Sequence, residues 1–547
     1  MYCGDETGSF VGQVGCAVSR FGYGGDESPR VVVPSYVGRY DTDPDSKPFV
    51  PASCYRRRWA EANIWKTPLA EPKFGESSRA DDDEQTNDNV AKDESHYHRP
   101  LVDPAAYLAQ GGAIVDWEAY ETLWESAMET MAVRRLKHST GDFSISSKKQ
   151  PKAPSSVPAS STVRPTAPEY TCMHPLLAIT SGFTYPSLAP DGSYSSTAVQ
   201  AARRRERVQL VEMLLEKFDA PACFISPEPM VQAFSQGRST ALVVDVGAGG
   251  TRVTPVVDGL ILSTAQRRSG RGSNWLMNTA WQALLPVTPL RPRYQLQHGV
   301  VDPSITAKRG IFHRWAMQDL LWECTSTVRR LPPSGPATVV FEATQRSKKK
   351  GNEGDVGMED DEEDRSGDEG SNDDSDSPME TDEPVSAVPS ATYELPDGTL
   401  INLTSTVGRD VCRIPEAYFA EVLPFGTTAN QSILHQHYTL CDLPLDRLIQ
   451  SSLLAVADVD VRKDLSSNIL LVGGASLGLE ERLSWQLRQL LPGKPKVLAS
   501  AHEIERTAAG WIGGSILSSL GSFQQLWLGR TEYEEYGATL ALQRFPV

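Results

Sequence analysis

Near its C-terminal end the chain reads Trp511-Ile-Gly-Gly-Ser-Ile-Leu-Ser-Ser-Leu520, and runs on into Phe523-Gln-Gln-Leu-Trp527. Two adjacent glycines stand beside a tryptophan where an ordinary amphipathic helix would carry helix formers. Simple periodicity does not account for the segment, so its residues are constrained by something other than one apolar stripe.

The 547 residues are 39% hydrophobic, enough for a sizeable core, and the length corresponds to roughly three or four structural units. The formal net charge of −17 is unevenly spread. Much of the acid lies in Gly351–Pro384, a run that repels itself and has almost nothing to bury, so it is expected to be disordered. Eight cysteines show neither a CxxC pair nor zinc spacing, which predicts reduced thiols in a cytosolic or nuclear protein rather than a disulfide framework. The N-terminus lacks the pattern of a signal peptide, and no apolar run is long enough to cross a bilayer; a soluble, intracellular protein is expected.

Three polar segments, Lys73–Pro100, Lys137–Pro168 and Arg346–Ala391, read as surface insertions. Between them strands alternate with helices, the pattern of an α/β protein. Ser239–Asp245 is an apolar strand ending in a carboxylate and glycines. Val253–Val257 predicts another, with Asp258-Gly259 as a hairpin turn into Leu260–Leu262. Asn468–Gly474 is a third buried strand. Helical periodicity marks Arg203–Phe218, Trp315–Leu331 and Leu477–Leu491. Asp245, Gly247, Gly249, Gly250 and Thr251 have the residue types of a phosphate loop, although a strand followed by a glycine-rich turn reads the same way. Gly473, Gly474 and Ala475 follow the third strand in a similar manner.

Taken in order, these segments resemble the actin family. Asp458-Val-Asp-Val-Arg-Lys-Asp-Leu465 looks like its DVDIRKDL, and Phe21–Arg30 followed by Val33-Pro34-Ser35 looks like its GFAGDDAPR and FPS. The opening Tyr2-Cys-Gly-Asp-Glu-Thr-Gly8 is similar to that of the family's nuclear actin-related branch. Asp116-Trp117, Phe234–Thr240, Tyr393–Gly398 and Ile414–Glu416 agree with the same branch.

The resemblance implies a two-lobed α/β fold of four subdomains with nucleotide between the lobes. Residues 1–39, 115–238 and 506–547 would form the first inner subdomain, with an insertion at 137–168, and 40–114 its outer partner. Residues 239–264 and 422–505 would form the second inner subdomain. Its outer partner would be 265–421, holding the acidic insertion 346–391. The implied ATP contacts are Gly15, Cys16, Arg20, Asp245, Gly247, Gly249, Gly250, Thr251, Glu323, Gly473, Gly474, Ala475 and Arg506, with Asp245 on the metal side.

Departures from the family pattern bear on chemistry. Gln13 stands where a magnesium-side Asp is expected, and Ala248 where a second is. Cys16 replaces a phosphate-binding Ser, and a thiol donates more weakly than a hydroxyl. Arg252 falls where the family has a His near the attacking water, and Glu228 where it has the catalytic Gln. Pro227 and Pro229 flank Glu228 and are expected to disturb a helix there. ATP binding is expected to survive with weak magnesium dependence, and hydrolysis to be slow or absent, leaving no catalytic residue.

The partners implied are monomeric actin and the helicase-SANT-associated helix of a remodeller or acetyltransferase scaffold, seated in a groove near Trp511–Leu526. Ordinary core packing accounts for most of those residues in the alternative reading. The acidic run could meet histones or be a solvated loop. Arg346–Lys350 could serve nuclear import or be plain surface. A nuclear scaffold competes with a polymerising cytoskeletal ATPase and, less well, with a metabolic or chaperone ATPase.

Overall fold

The computed structural model describes residues 8–35, 116–136, 170–181, 196–277, 320–327, 392–395, 400–403, 411–420 and 443–545, with residues 114, 331, 398, 405 and 408. The polar segments 73–100, 137–168 and 346–391, residues 1–7 and nearly all of 40–114 lie outside this set.

Among the described residues two mixed sheets dominate. The first begins with β1 (Phe10–Val14), buried along its whole length, β2 (Val18–Tyr23) and β3 (Val31–Pro34). β1 and β2 form an antiparallel hairpin that sets Gln13 opposite Arg20. α1 (Trp117–Thr130) starts at Asp116, whose carboxylate accepts the Ala119 N–H at 3.0 Å. Its Trp124 packs edge-on against Phe10 and Phe21 of the hairpin. β4 (Leu176–Thr180) lies parallel to β1.

α2 (Ser196–Glu212) leads on through a π-helical turn, Met213–Lys217, and buries Leu210, Val211, Leu214, Leu215 and Phe218. These are the apolar positions that the periodicity picks out. β5 (Ala222–Pro227) pairs parallel to β4, and α3 (Glu228–Ser235) follows directly.

The second sheet is built from β6 (Ala241–Val246), β7 (Thr251–Val257), β8 (Leu260–Ile261), β9 (Arg267–Ser269), β10 (Ile469–Val472) and β11 (Val497–Leu498). Its order is β8-β7-β6-β10-β11, with β9 pairing β7. Asp258 and Gly259 both take positive φ, as the expected tight turn between β7 and β8 requires. Parallel pairing of β6 with β10 needs a crossover, and α4 (Leu445–Ala455) and α5 (Val459–Ser467) complete it. Asp458, the first residue of the DVDVRKDL motif, caps α5 by accepting the Asp460 and Val461 N–H groups. α6 (Glu480–Leu490) buries Leu483 and Leu487 against this sheet's core.

The chain then returns through α7 (Glu503–Thr507) and α8 (Ala509–Ser519) to β12 (Leu528–Gly529), which closes the first sheet in the order β12-β5-β4-β1-β2-β3; α9 (Arg530–Tyr536) follows. α8 carries the two glycines. Trp511 is fully buried and its Nε1 donates to the Val11 carbonyl at 3.1 Å. Ser515 Oγ accepts from Gly25 N–H at 2.9 Å and donates to the Asp26 carbonyl at 2.8 Å.

The other side of α8 packs on α3 so closely that a Cβ on Gly513 would overlap the Val231 carbonyl. A small cluster that includes Ala233 of α3, Ala509 of α8, Val243 and Leu470 joins this helix pair to the second sheet. The fold is the expected two-lobed α/β arrangement, and α3 with α8 is the seam between its sheets. Gly513→Ala is expected to lower stability by about 1–3 kcal/mol through overpacking. A urea unfolding midpoint equal to that of the wild type would contradict this contact.

Candidate functional site

A cavity of 520 Å³ opens between the two sheets, in the size range of small-ligand sites. The β1–β2 hairpin brings Gly15, Cys16 and Arg20 to its wall. The β6–β7 hairpin brings Asp245, Gly247, Gly249 and Gly250, and the turn after β10 brings Gly473, Gly474 and Ala475. Arg506, on α7, completes the expected set on the wall. The two hairpins meet closely: a Cβ on Gly249 would lie 2.6 Å from Cys16 Sγ. Burial pushes the Cys16 thiol up, with Arg252 and Arg268 pulling the other way, so the side chain stays a neutral, weak donor.

Two expected residues are not on the wall. Thr251 is buried and its hydroxyl donates to the Arg271 carbonyl at 2.6 Å, bracing the loop from behind. Glu323 is exposed on the helical stretch 320–327, while its neighbour Trp322 faces the cavity.

The turn after β10 depends on its first glycine. Gly473 has φ +97°, and a Cβ there would sit 2.5 Å from Asp245 Oδ1. Its N–H donates to the Arg506 carbonyl at 3.0 Å. The buried Arg506 guanidinium donates in turn to the Ser476 carbonyl at 3.1 Å and to Glu480 Oε2 at 3.0 Å, tying α7 to the start of α6. At Gly474, by contrast, a Cβ would meet no atom within 4 Å, which is open space of the kind a nucleoside needs.

The same cavity holds a cluster of charges. Register places Arg252 opposite Asp245 across β6–β7, and opposite Arg268 across β7–β9. Arg252 Nη2 pairs with Asp245 Oδ2 and also donates to Glu228 Oε2 at 2.8 Å. Its Nη1 reaches the Ser181 carbonyl at 3.4 Å. Gln13 Nε2 donates to the remaining Glu228 oxygen, Oε1, at 2.5 Å. Burial pushes the Glu228 carboxyl up and the Asp245 charge adds to this, against the opposing pull of Arg252 and Gln13. Burial alone would lower the Arg252 guanidinium, but its two carboxylates outweigh that and raise it.

The prolines beside Glu228 do not disturb the helix, contrary to expectation. Pro227 is the N-cap of α3 and Pro229 lies in its first turn, where no intrahelical N–H bond is needed. That geometry delivers the Glu228 carboxylate into the cluster.

The wall suits a nucleotide: it combines glycine turns, open space at Gly474 and several arginines. It does not suit a resident divalent metal at Asp245. That carboxylate takes Arg252 instead, Gln13 and Ala248 supply no carboxylate, and among the described residues no group of three or more His, Cys, Asp or Glu is placed to hold a metal ion.

Sequence reading missed Arg268, which lines the wall, and the start of the helical turn after it. There Ser273 and Asn274 N–H groups donate to the Gly247 and Ala248 carbonyls at 3.0 and 3.1 Å. The run Arg267-Arg-Ser-Gly-Arg-Gly272, basic and glycine-bearing, was the available signal.

Arg506→Met is expected to cost roughly 1–3 kcal/mol, most of it from the bond to the Ser476 carbonyl, since Glu480 is partly solvent-screened. Burial works to raise the Glu480 carboxyl, but Arg506 and backbone N–H bonds hold it below the usual carboxylate range. A depressed acid stabilises the fold above that range and loses its contribution as pH falls through it. The stability gap between wild type and Arg506→Met should therefore narrow on acidification below the usual carboxylate range. Chemical denaturation at several pH values checks this, and a gap that widens in acid would contradict it.

Among the described residues no helix is long and apolar enough to cross a membrane. Over its whole length the chain is similar to proteins named actin-related protein 4. It is 26% identical to those of Oryza sativa subsp. indica and Arabidopsis thaliana, with all of both chains covered in each case. It is 24% identical to that of Neurospora crassa, covering all of this chain and 96% of the relative. The family model described as Actin matches residues 4–546. With that match spanning nearly every residue, and two mixed sheets enclosing a glycine-lined cleft, the chain belongs to the actin family.

Proposed function

We propose that this chain is a nuclear actin-related scaffold subunit of nucleosome-remodelling and histone acetyltransferase complexes, one that keeps ATP as a structural ligand and hydrolyses it slowly or not at all. Actin-family proteins generally bind a nucleotide and a metal in this fold. The observation that carries the loss of hydrolysis is the state of Glu228. Both its oxygens are already taken, one by Gln13 and one by Arg252. To accept a proton from water it would have to become neutral and surrender a buried ion pair. Hydrolysis also needs an oriented water beside a neutralised phosphate. The side chains that the family resemblance assigns to that task are instead bonded to one another.

Full-length similarity to proteins named actin-related protein 4 supports the scaffold reading. The proposed partners are monomeric actin and a helicase-SANT-associated helix. Trp511 and Phe523 are core residues, whereas Ile516, Leu520 and Leu526 are exposed around α8 and offer apolar anchoring positions to such a helix. Contact between the acidic run and histones remains part of the proposal only through opposite charge.

A polymerising cytoskeletal ATPase is the competing reading, and sedimentation with phosphate-release measurements separates the two. The purified chain is expected to stay in the supernatant with magnesium and ATP and to release phosphate no faster than buffer. Filaments or actin-like turnover would sink the scaffold reading. Affinity purification with mass spectrometry should recover actin and a remodeller or acetyltransferase subunit. A second expectation concerns Cys16: Cys16→Ser restores a stronger donor beside the phosphate loop and should tighten ATP binding by about fivefold, as one net hydrogen bond of about 1 kcal/mol implies. Unchanged or weaker binding by calorimetry would remove Cys16 from the phosphate contacts.

A further inference from the structure

We infer that Arg252 is the resident cation of this cleft: its guanidinium holds the position a divalent metal would need, so that a nucleoside di- or triphosphate binds here without one. The inference rests on the reading that the cleft takes a nucleotide, and it adds which charge meets the phosphates.

Three observations carry it. Arg252 occupies Asp245, the one acidic side chain on the β6–β7 hairpin, and does so from the directly opposite register position. It reaches across the cleft as well, to Glu228 on α3 and to the Ser181 carbonyl after β4, so that one side chain joins both sheets' elements at the phosphate end. Finally, Arg20 and Arg268 line the same wall as Arg252, so the cavity already carries cationic side chains with no ion added.

A divalent cation on Asp245 would have to share that carboxylate with the guanidinium already paired to Oδ2, setting two cations side by side in a confined space. Gln13 and Ala248 offer it no replacement carboxylate. A guanidinium, in contrast, is fixed, always charged and shaped to donate to phosphate oxygens.

The test is ATP affinity, by calorimetry on the full chain, in EDTA and in excess magnesium, for wild type and Arg252→Ala. Wild-type affinity should differ by less than about threefold between the two conditions. Arg252→Ala should lose about tenfold or more in EDTA, the loss of one charge-assisted contact, and regain much of it with magnesium, since Asp245 and Glu228 are then free to bind metal. Wild-type affinity that drops about tenfold or more in EDTA would overturn the inference.

Thermal unfolding with manganese chloride and no nucleotide provides a separate readout. The wild-type midpoint should not move, while that of Arg252→Ala should rise. A manganese-dependent rise in the wild type, or a folded Arg252→Ala that ignores manganese, would also overturn it. If ATP binds under neither condition, the nucleotide reading fails, and the manganese result still decides what Arg252 does. Should Arg252→Ala not fold, the wild-type responses to EDTA and to manganese decide alone.

Discussion

The close packing of α8 on α3 is the contact on which the rest of the molecule depends. Without a side chain on Gly513, the two helices approach until one touches the other's backbone at Val231. This lets α8 serve both sheets. On one side Trp511 bonds to β1 and Ser515 holds the turn after β2; on the other, Ala509 joins a cluster with strands of the second sheet. Residues near the two ends of a 547-residue chain are thereby locked together, and the cleft lies beside that seam.

The seam also accounts for the charge cluster. Glu228 begins α3, and α3 is held against α8, so the Glu228 carboxylate has a fixed position at the cleft floor. A Cβ on Gly510 of α8 would lie 2.7 Å from Gln13 Nε2 and 3.1 Å from Glu228 Cγ, which shows how tightly the helix backs these two side chains. Arg252 arrives from the other sheet and closes the set. Removing Arg252 would leave two buried carboxylates without their ion pair, a cost of several kcal/mol in comparable cases. The cluster is therefore both a structural bond between lobes and the feature that sets the chemistry of the cleft.

Much of this was legible in the residues. Period-two and apolar runs located β6, β10 and the β7–β8 hairpin, because a buried strand and an Asp-Gly turn each have a local physical cause. The apolar stripe of α2 and the glycines of the cavity-lining turns were visible for the same reason. What was not legible depends on pairs distant in sequence. Glu228 and Gln13 are 215 residues apart, and nothing local says that they touch. The flanking prolines even pointed the wrong way, since their harm depends on their position in the helix, and Pro229 lies in the first turn. Glu323 and Thr251 had the right types, yet helix phase turned one to solvent and strand pairing turned the other to the loop's back.

By itself, then, the sequence determined the kind of protein: an actin-family chain with altered groups at positions that the resemblance assigns to metal and water, each substitution readable as a change of charge or donor strength. Only the tertiary structure decided what those groups do together. An arginine in place of a histidine is a single change of residue type; an arginine bonded both to Asp245 of its own sheet and to Glu228 at the start of α3 is the built-in cation inferred above. That difference comes from strand register and from a helix seam narrow enough to need a glycine, and both of these arise between segments rather than within them.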